Sequence, residues 1–378
     1  MKKFLLCFLC ALIIFFDICQ CYALGVSAHS AVLIEPTTGR ILYEKNAHER
    51  MSMASTTKIM TAICAIESGM LDSKIEVDPS AVGVEGSSIY LKHGEHLTLR
   101  ELVYGLMLSS GNDAAVAIAC AVSGGVEEFA HLMNETAQKI GVRNTSFMNP
   151  NGLDEENHYT TAYDLAVITA YGLKNQEFKE IVSTYEKTIS HEGYNYLRKL
   201  QNHNKLLRMY EGCIGVKTGF TKKSGRCLVS AAERNGVTLV AVTLKAPDDW
   251  NDHMTMLDYG FSKASSETVL KKDEYLKTLT VSGGVKKTVK AICEDDVNII
   301  KTDGEINKVT FKYEIKDTID APVSYREKLG VVSIYLDGCH ITDADVVSEN
   351  AVPKDNKKTL KRSFELVFSE FMNSFISH

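Results

Sequence analysis

The chain has 378 residues, 45% of them hydrophobic and 24% charged, with six prolines and a formal net charge of −6. That length suits about two domains, and the composition is ordinary for a globular protein. An acidic balance with no basic block excludes nucleic acid as the main partner.

Lys2 and Lys3 precede an apolar run from Phe4 to Phe16, followed by the small-x-small pattern Cys21-Tyr22-Ala23. The order predicts a secretory signal over residues 1–23, removed after Ala23, and an exported protein at the extracytoplasmic face of the membrane. The run is short for a bilayer span, which argues against an uncleaved anchor. Four of the ten cysteines leave with this segment. The other six, Cys64, Cys120, Cys213, Cys227, Cys293 and Cys339, are widely spaced in a chain able to build its own core, so no bridge is assigned. Cys64 and Cys120 fall inside apolar helical runs and are expected as buried thiols.

Ala31 to Ile34 and Ile41 to Tyr43 flank the turn cluster Glu35-Pro36-Thr37-Thr38-Gly39, which predicts a β-hairpin. Met53-Ala54-Ser55-Thr56-Thr57-Lys58 then leads into a helix apolar nearly all round, stopped by Gly69, and such a helix belongs in a domain interior. Residues 70–95 are turn-rich. Within them, His93-Gly94-Glu95-His96 lacks a metalloprotease spacing and reads as a polar turn, not a zinc site. Thr98-Leu99-Arg100-Glu101 is a capping box for a helix to Leu108. A break at Ser109-Ser110-Gly111-Asn112-Asp113 precedes a helix of small residues, Ala114 to Val122, and an amphipathic one, Val126 to Ile140. After the loop Asn149 to Asp154, Thr161 caps a helix to Tyr171. From about residue 186 the pattern becomes strand-like: Gly215 to Phe220, then Cys227 to Ala232 and Val237 to Leu244 across Arg234-Asn235-Gly236, a strong hairpin signal. A helix from Asp248 to Tyr259 follows.

The order predicts an α+β domain over residues 24–262, its first hairpin in one antiparallel sheet with the later strands and an all-α lobe inserted between them. Residues 268–352 alternate with period two and predict a small all-β domain. Beyond Pro353 to Asn356, the residues Leu360, Phe364, Val367, Phe368, Phe371 and Phe375 share one helical face behind Lys357, Lys358, Lys361 and Arg362. Glu365 and Glu370 exclude a comfortable span, so residues 357–378 are expected to lie in the membrane surface as an amphipathic helix.

Three triplets carry the chemistry. Taken singly, Ser55 is a helix N-cap, Ser110-Gly111-Asn112 a loop and Lys217-Thr218-Gly219 a solvated strand end. The last is no P-loop, because its glycine spacing is wrong. Together, a Ser-x-x-Lys at a helix start, a Ser-x-Asn between helices and a Lys-Thr-Gly in a strand form the signature of serine acyl-transferases of the penicillin-recognising kind. With the runs Ser109 to Ala115, Asn149 to Asp154 and Gly215 to Thr221, the chain resembles the low-molecular-mass penicillin-binding proteins, and more narrowly the D-alanyl-D-alanine carboxypeptidases. The stretch Ala246-Pro247-Asp248-Asp249-Trp250-Asn251-Asp252-His253 is most similar to their sporulation-associated branch.

The residue types explain how such a site works. A serine hydroxyl needs an adjacent base, and Lys58 stands one helical turn from Ser55. A lysine acts as a base only if burial and a second cation, here Lys217, lower its pKa from about 10.4. Unpaired backbone N–H groups at a helix start suit an oxyanion hole, which the resemblance assigns to Ser55 and Phe220. The resemblance further implies that Ser110 relays the proton and that Asn112 holds the substrate amide. It implies that Lys217, Thr218 and Gly219 meet the terminal carboxylate, with Thr221 assisting, and that no metal or organic cofactor takes part. The implied partners are peptidoglycan stem peptides, β-lactam antibiotics and the membrane surface. Three alternatives stay open: a class A-like β-lactamase, a D,D-endopeptidase and a non-catalytic wall-binding scaffold.

Overall fold

The computed structural model describes residues 24–190, 197–303, 308–355, 364–369 and Met372. The expected signal over residues 1–23 lies outside them. Of the described residues, those up to Glu233 with Leu239–Gly260 form one compact unit, and Arg234–Thr238 with those from Phe261 onward form a second.

In the first unit β1 (Ser30–Glu35) and β2 (Arg40–Lys45) pair as the expected hairpin. The Glu35 carboxylate holds the turn by accepting from Thr37 N and Thr38 N at 2.7 and 2.8 Å. The apolar helix α1 (Lys58–Glu67) is buried on every side from Lys58 to Ile66. Two short strands, β3 (Lys74–Glu76) and β4 (His96–Thr98), pair across the irregular stretch. Glu95 is buried there against Arg198 at 3.1 Å. Helix α2 (Leu99–Leu108) opens on the Thr98–Glu101 capping box. Helix α3 (Asn112–Ser123) begins two residues earlier than its small-residue run, which puts Asn112 on the helix and not in the loop. The helices α4 (Val126–Ile140) and α5 (Ala162–Leu173) follow, the second capped by Thr161 as its hydroxyl accepts from Asp164 N.

The next stretch holds more structure than its sequence announces: α6 (Gln176–Ser183), the hairpin β5 (Glu186–Ile189) with β6 (Arg198–Gln201), and the single turn α7 (Leu206–Met209). Then β7 (Cys213–Thr221), β8 (Gly225–Arg234) and β9 (Val237–Leu244) complete a sheet of order β2-β1-β9-β8-β7, and α8 (Asp249–Lys263) follows. The first hairpin and the later strands do share one sheet, and β1 pairs directly with β9.

Every residue of β1 is buried because both faces of the sheet are covered. Val32, Ile34, Val240 and Val242 join α1 to α5 in one core. On the other face α8 comes so close that a Cβ on Gly260 would lie 2.6 Å from Leu239 and 2.7 Å from Leu33. His253 of α8 is fully buried there, with Ser230 Oγ 2.5 Å from Nδ1 and Thr243 Oγ1 2.9 Å from Nε2. Desolvation pushes its pKa down to about 3, so the ring stays neutral.

The second unit is all-β. It comprises β10 (Ala264–Leu270), β11 (Tyr275–Ser282), β12 (Thr288–Cys293), β13 (Val297–Thr302), β14 (Val309–Ile315), β15 (Thr318–Asp320), β16 (Lys328–Leu336) and β17 (Cys339–Ser348). Six strands form a sheet of order β14-β16-β17-β12-β11-β15, while β10 pairs with β13. Leu279, Leu329, Val332, Ile334 and Val346 fill its own core.

The six cysteines among the described residues are free thiols. Cys64 is buried as expected, and desolvation raises its pKa to about 12. Cys120 is only half-buried, with its Sγ 3.5 Å from Ser80 Oγ. Residues 364–369 are helical, with Phe364, Leu366, Val367 and Phe368 exposed. The rest of the terminal stripe, Leu360, Phe371 and Phe375 with its basic lead-in, lies outside the described residues.

Candidate active site

Ser55 does not cap α1. It sits in a 3-10 turn, Ala54–Thr57, that runs straight into the helix, and no side chain caps either element. Hydroxyls hold the turn together: Thr56 Oγ1 donates to Met53 O at 2.6 Å and Thr57 Oγ1 to Ala54 O at 2.8 Å. Two close approaches fix its outer surface. A Cβ on Gly152 would lie 2.0 Å from Ala54 O, and one on Gly219 of β7 would lie 3.1 Å from the backbone nitrogens of Ser55 and Thr56. The Lys-Thr-Gly glycine is what lets the edge strand pass the serine.

Lys58 is fully buried beneath Ser55. Its Nζ lies 2.9 Å from Ser55 Oγ, 2.7 Å from Asn112 Oδ1 and 2.5 Å from the carbonyl of Asn151. Desolvation, then the charge of Lys217, drive its pKa well below the usual lysine range, against a smaller opposing pull from Asp113. Lys217, on β7, is buried too; its Nζ donates to Ser110 Oγ at 3.0 Å and to Thr218 O at 2.9 Å. Burial brings its pKa down to about 7. The two amines share a low-dielectric interior, and the charge of Lys217 adds to the desolvation that disfavours a proton on Lys58.

The break between α2 and α3 presents Ser110. Its φ of 59° is left-handed, a conformation uncommon outside glycine. Asp113 organises the facing loop: its carboxylate accepts from Ile89 N at 3.0 Å, Leu91 N at 3.1 Å and Ser88 Oγ at 2.5 Å. Asn112 Nδ2 donates to Glu85 O at 2.5 Å, which orients its carbonyl toward Lys58.

Below Lys58, the loop Asn149 to Asp154 is held from three sides. Thr61 Oγ1 donates to Pro150 O at 2.6 Å, Gly152 N to Asn149 Oδ1 at 2.8 Å, and Asn149 Nδ2 to Glu155 Oε1 at 2.8 Å. His158 ties loop to turn, since Met148 N donates to its Nδ1 at 3.0 Å and its Nε2 lies 2.8 Å from Thr57 Oγ1. Desolvation lowers its pKa to about 4. The ring is neutral and carries its proton on Nε2, because Nδ1 must accept.

Ser55, Ser110, Thr218, Gly219 and Phe220 line one cavity of about 480 Å³. Lys58, Asn112 and Lys217 form its buried floor. Thr221 is the exception: its hydroxyl lies 2.9 Å from Ser224 Oγ and accepts from Ser224 N at 3.0 Å, closing the β7–β8 turn. Reading the triplets alone misses several residues the geometry adds. Asp113, Asn151 and His158 hold the floor. Ser87, His203, Arg226 and Trp250 line the cavity, and Arg226 is anchored by Asp249 at 3.0 Å.

Comparison with known proteins identifies the family. Residues 20–248 match the family model for D-alanyl-D-alanine carboxypeptidases, and residues 265–354 match that for the C-terminal domain of penicillin-binding protein 5. The chain is 35% identical to the D-alanyl-D-alanine carboxypeptidase DacF of Bacillus subtilis, covering 88% of this chain and 87% of that one. It is 30% identical to DacC of Escherichia coli, covering 86% and 84%. Among solved structures, penicillin binding protein 5 from Haemophilus influenzae superposes with a TM-score of 0.62 at 29% identity, over 87% of this chain and 98% of that one. A mutant of the Streptomyces K15 DD-transpeptidase gives 0.60 at 34% identity, over 63% and 99%. With sequence, fold and three triplets in agreement, the chain belongs to the D-alanyl-D-alanine carboxypeptidase family of penicillin-binding proteins.

Proposed function

We propose that the chain removes the terminal D-alanine from peptidoglycan stem peptides through an acyl-Ser55 ester. One observation carries the reading: the three neighbours of Lys58 suit a neutral amine. Asn112 Oδ1 and the Asn151 carbonyl can only accept, so they take its two N–H groups. The lone pair is left for the Ser55 hydroxyl, 2.9 Å away. A buried, proton-free lysine beside a serine is an activated nucleophile.

Ser55 Oγ then attacks the penultimate carbonyl as its proton passes to Lys58. The Ser55 and Phe220 N–H groups face the developing oxyanion. Lys217, in its charged form, meets the terminal carboxylate with Thr218 and Gly219 and holds Ser110, which hands the proton to the leaving amine. Asn112 keeps one Nδ2 hydrogen for the substrate amide, the other being spent on Glu85 O. Thr221 acts by shaping the turn. Water enters after D-alanine leaves, with Lys58 again as base.

The same site takes β-lactams as slow substrates. A β-lactamase of the related kind activates its water with a glutamate. Here Glu155 is engaged by Asn149, and a main-chain carbonyl meets Lys58. The test is incubation with penicillin, with peptide mapping by mass spectrometry and a parallel assay of D-alanine release. A long-lived adduct on Ser55, absent from Ser55→Ala, and D-alanine release are expected. An adduct elsewhere, or rapid penicillin turnover, overturns the reading.

Export and a membrane foot complete it. The exposed apolar residues of 364–369, with the basic lead-in before them, suit a helix lying in the lipid interface. Deleting residues 357–378 is expected to move the protein from the membrane to the soluble fraction; unchanged partition counts against the foot.

A further inference from the structure

His158 touches no reacting atom, yet it stands between the two pieces of backbone that set the base against the nucleophile. We infer that His158 is a positioning residue for acylation. By latching the Asn149–Asp154 loop to the 3-10 turn, it keeps the lone pair of Lys58 aimed at Ser55. The inference rests on the acyl-Ser55 reading and names what its proton transfer depends on.

The ring is mounted on the frame of the domain. Immediately after it, Tyr159 bridges to Ser146 and Thr160 to Met51, each pair exchanging two backbone hydrogen bonds. The side chain is buried, and Phe147 packs edge-on with ring centres 6.1 Å apart. Desolvation outweighs the pull of Asp154 and keeps the imidazole neutral. The hydrogen bonds through it therefore run in one direction. Met148 N donates to Nδ1, Nε2 donates to Thr57 Oγ1, and Thr57 Oγ1 donates to Ala54 O. A hydroxyl has one hydrogen to give; with that spent on Ala54, Thr57 can only accept from the ring. The chain of three bonds begins at the entrance of the loop and ends on the residue before Ser55.

The loop moves as one body, because it is stapled to itself. Asn149 accepts from Gly152 N and donates to Leu153 O, and Leu153 N donates to Asn151 Oδ1 at 3.0 Å. Where that body sits against α1 is decided by contacts outside it. Two threonines straddle Lys58 along the chain: Thr57 takes the ring, and Thr61 donates to Pro150 O. With the first contact gone the loop can pivot on the second, and Asn151 is the next residue past that pivot. Its carbonyl takes one of the two hydrogens of the neutral Lys58 amine, and Asn112 takes the other. An amine released by one acceptor is free to turn, and its lone pair leaves the Ser55 hydroxyl. Met148, His158, Thr57 and Ala54 do not line the Ser55 cavity, so the latch acts on the chemical step and spares substrate binding.

The test assays the full chain on a peptide ending in D-alanyl-D-alanine for kcat and KM. Prolonged labelling of Ser55 by penicillin checks that the site has formed. His158→Ala is expected to lose about ten-fold or more in kcat, with KM within about two-fold of wild type. Thr57→Val cuts the latch from its other end and should show the same split, while Thr57→Ser, which keeps the hydroxyl, should restore the rate. The double variant Thr57→Val/His158→Ala should be no worse than the poorer single variant, because both remove one shared interaction. If His158→Ala fails to label, Thr57→Val against Thr57→Ser carries the same comparison. A wild-type kcat in His158→Ala, kcat and KM worsening together, or losses that multiply in the double variant overturns the latch and leaves the carboxypeptidase reading standing. A wild-type chain that neither releases D-alanine nor labels on Ser55 removes the acyl-Ser55 reading and this inference with it.

Discussion

Replacing Lys58 by alanine is expected to lower kcat/KM for D-alanine release by about 10⁴-fold, the upper range for loss of a general base. The effect is large because, among the described residues, Lys58 is the amine that contacts Ser55 Oγ. The pH profile identifies the cause. In the wild type, activity is expected to rise as Lys58 loses its proton and to fall as Lys217 loses its own, at about 7 in the free protein. A bound carboxylate stabilises the charged form of Lys217, so the alkaline limb of kcat should lie above that of kcat/KM. Lys58→Ala should lose the acid limb and keep the alkaline one, and an unchanged acid limb would sink the assignment. Stability carries the same signature. Both lysines have folded-state pKa values below the unfolded value of about 10.4, so the unfolded chain binds more protons between those limits. Folding stability therefore rises with pH from neutrality toward 10, and the variant should show a shallower rise.

Gly152→Ala is expected to be as damaging without touching any reacting atom. The residue has a φ of +86°, and the added methyl would meet Ala54 O at 2.0 Å, with its carbonyl carbon at 2.5 Å. Neither neighbour is a flexible side-chain end, so the 3-10 turn or the Asn149–Asp154 loop must shift. Strain and overlap together should cost roughly 3 kcal/mol or more of stability. Either shift moves Ser55 or the Asn151 carbonyl relative to Lys58. Chemical denaturation and penicillin acylation measured side by side check this: both should suffer, and a variant of wild-type stability that acylates normally would show the approach to be slack.

Much of this was legible because the chemistry is carried by side chains in contiguous triplets, each beside a strong element signal. The Thr98–Glu101 box, the glycine stops and the Arg234-Asn235-Gly236 turn fixed where those triplets sit. What stayed hidden is of three kinds. The Asn151 carbonyl is a backbone group, and any residue there would present one. Asp113 and His158 act through partners distant in sequence, which spacing cannot reveal. The segment from α6 to α7 is built of short, largely polar elements. In the structure Asn175 caps α6 by accepting from Glu177 N and Phe178 N. The turn contact of Thr221 with Ser224 was hidden for a related reason, since the register of a hairpin decides where its last hydroxyl points.

The pairing of β1 with β9 sets the order in which this domain can come into being. Ala31 meets Thr243 and Leu33 meets Ala241, more than two hundred residues along the chain. Until β9 has been synthesised, β1 has only β2 beside it, and an isolated hairpin is marginal in water. The helical lobe, rich in local contacts, can collapse early; the sheet closes only after a long loop has been brought round. Ser55 is made early and Lys217 later, so the two come together only once β7 has joined the sheet. A chain emerging from its N-terminus thus keeps this sheet open until β9 is made, before the strands of the second unit follow.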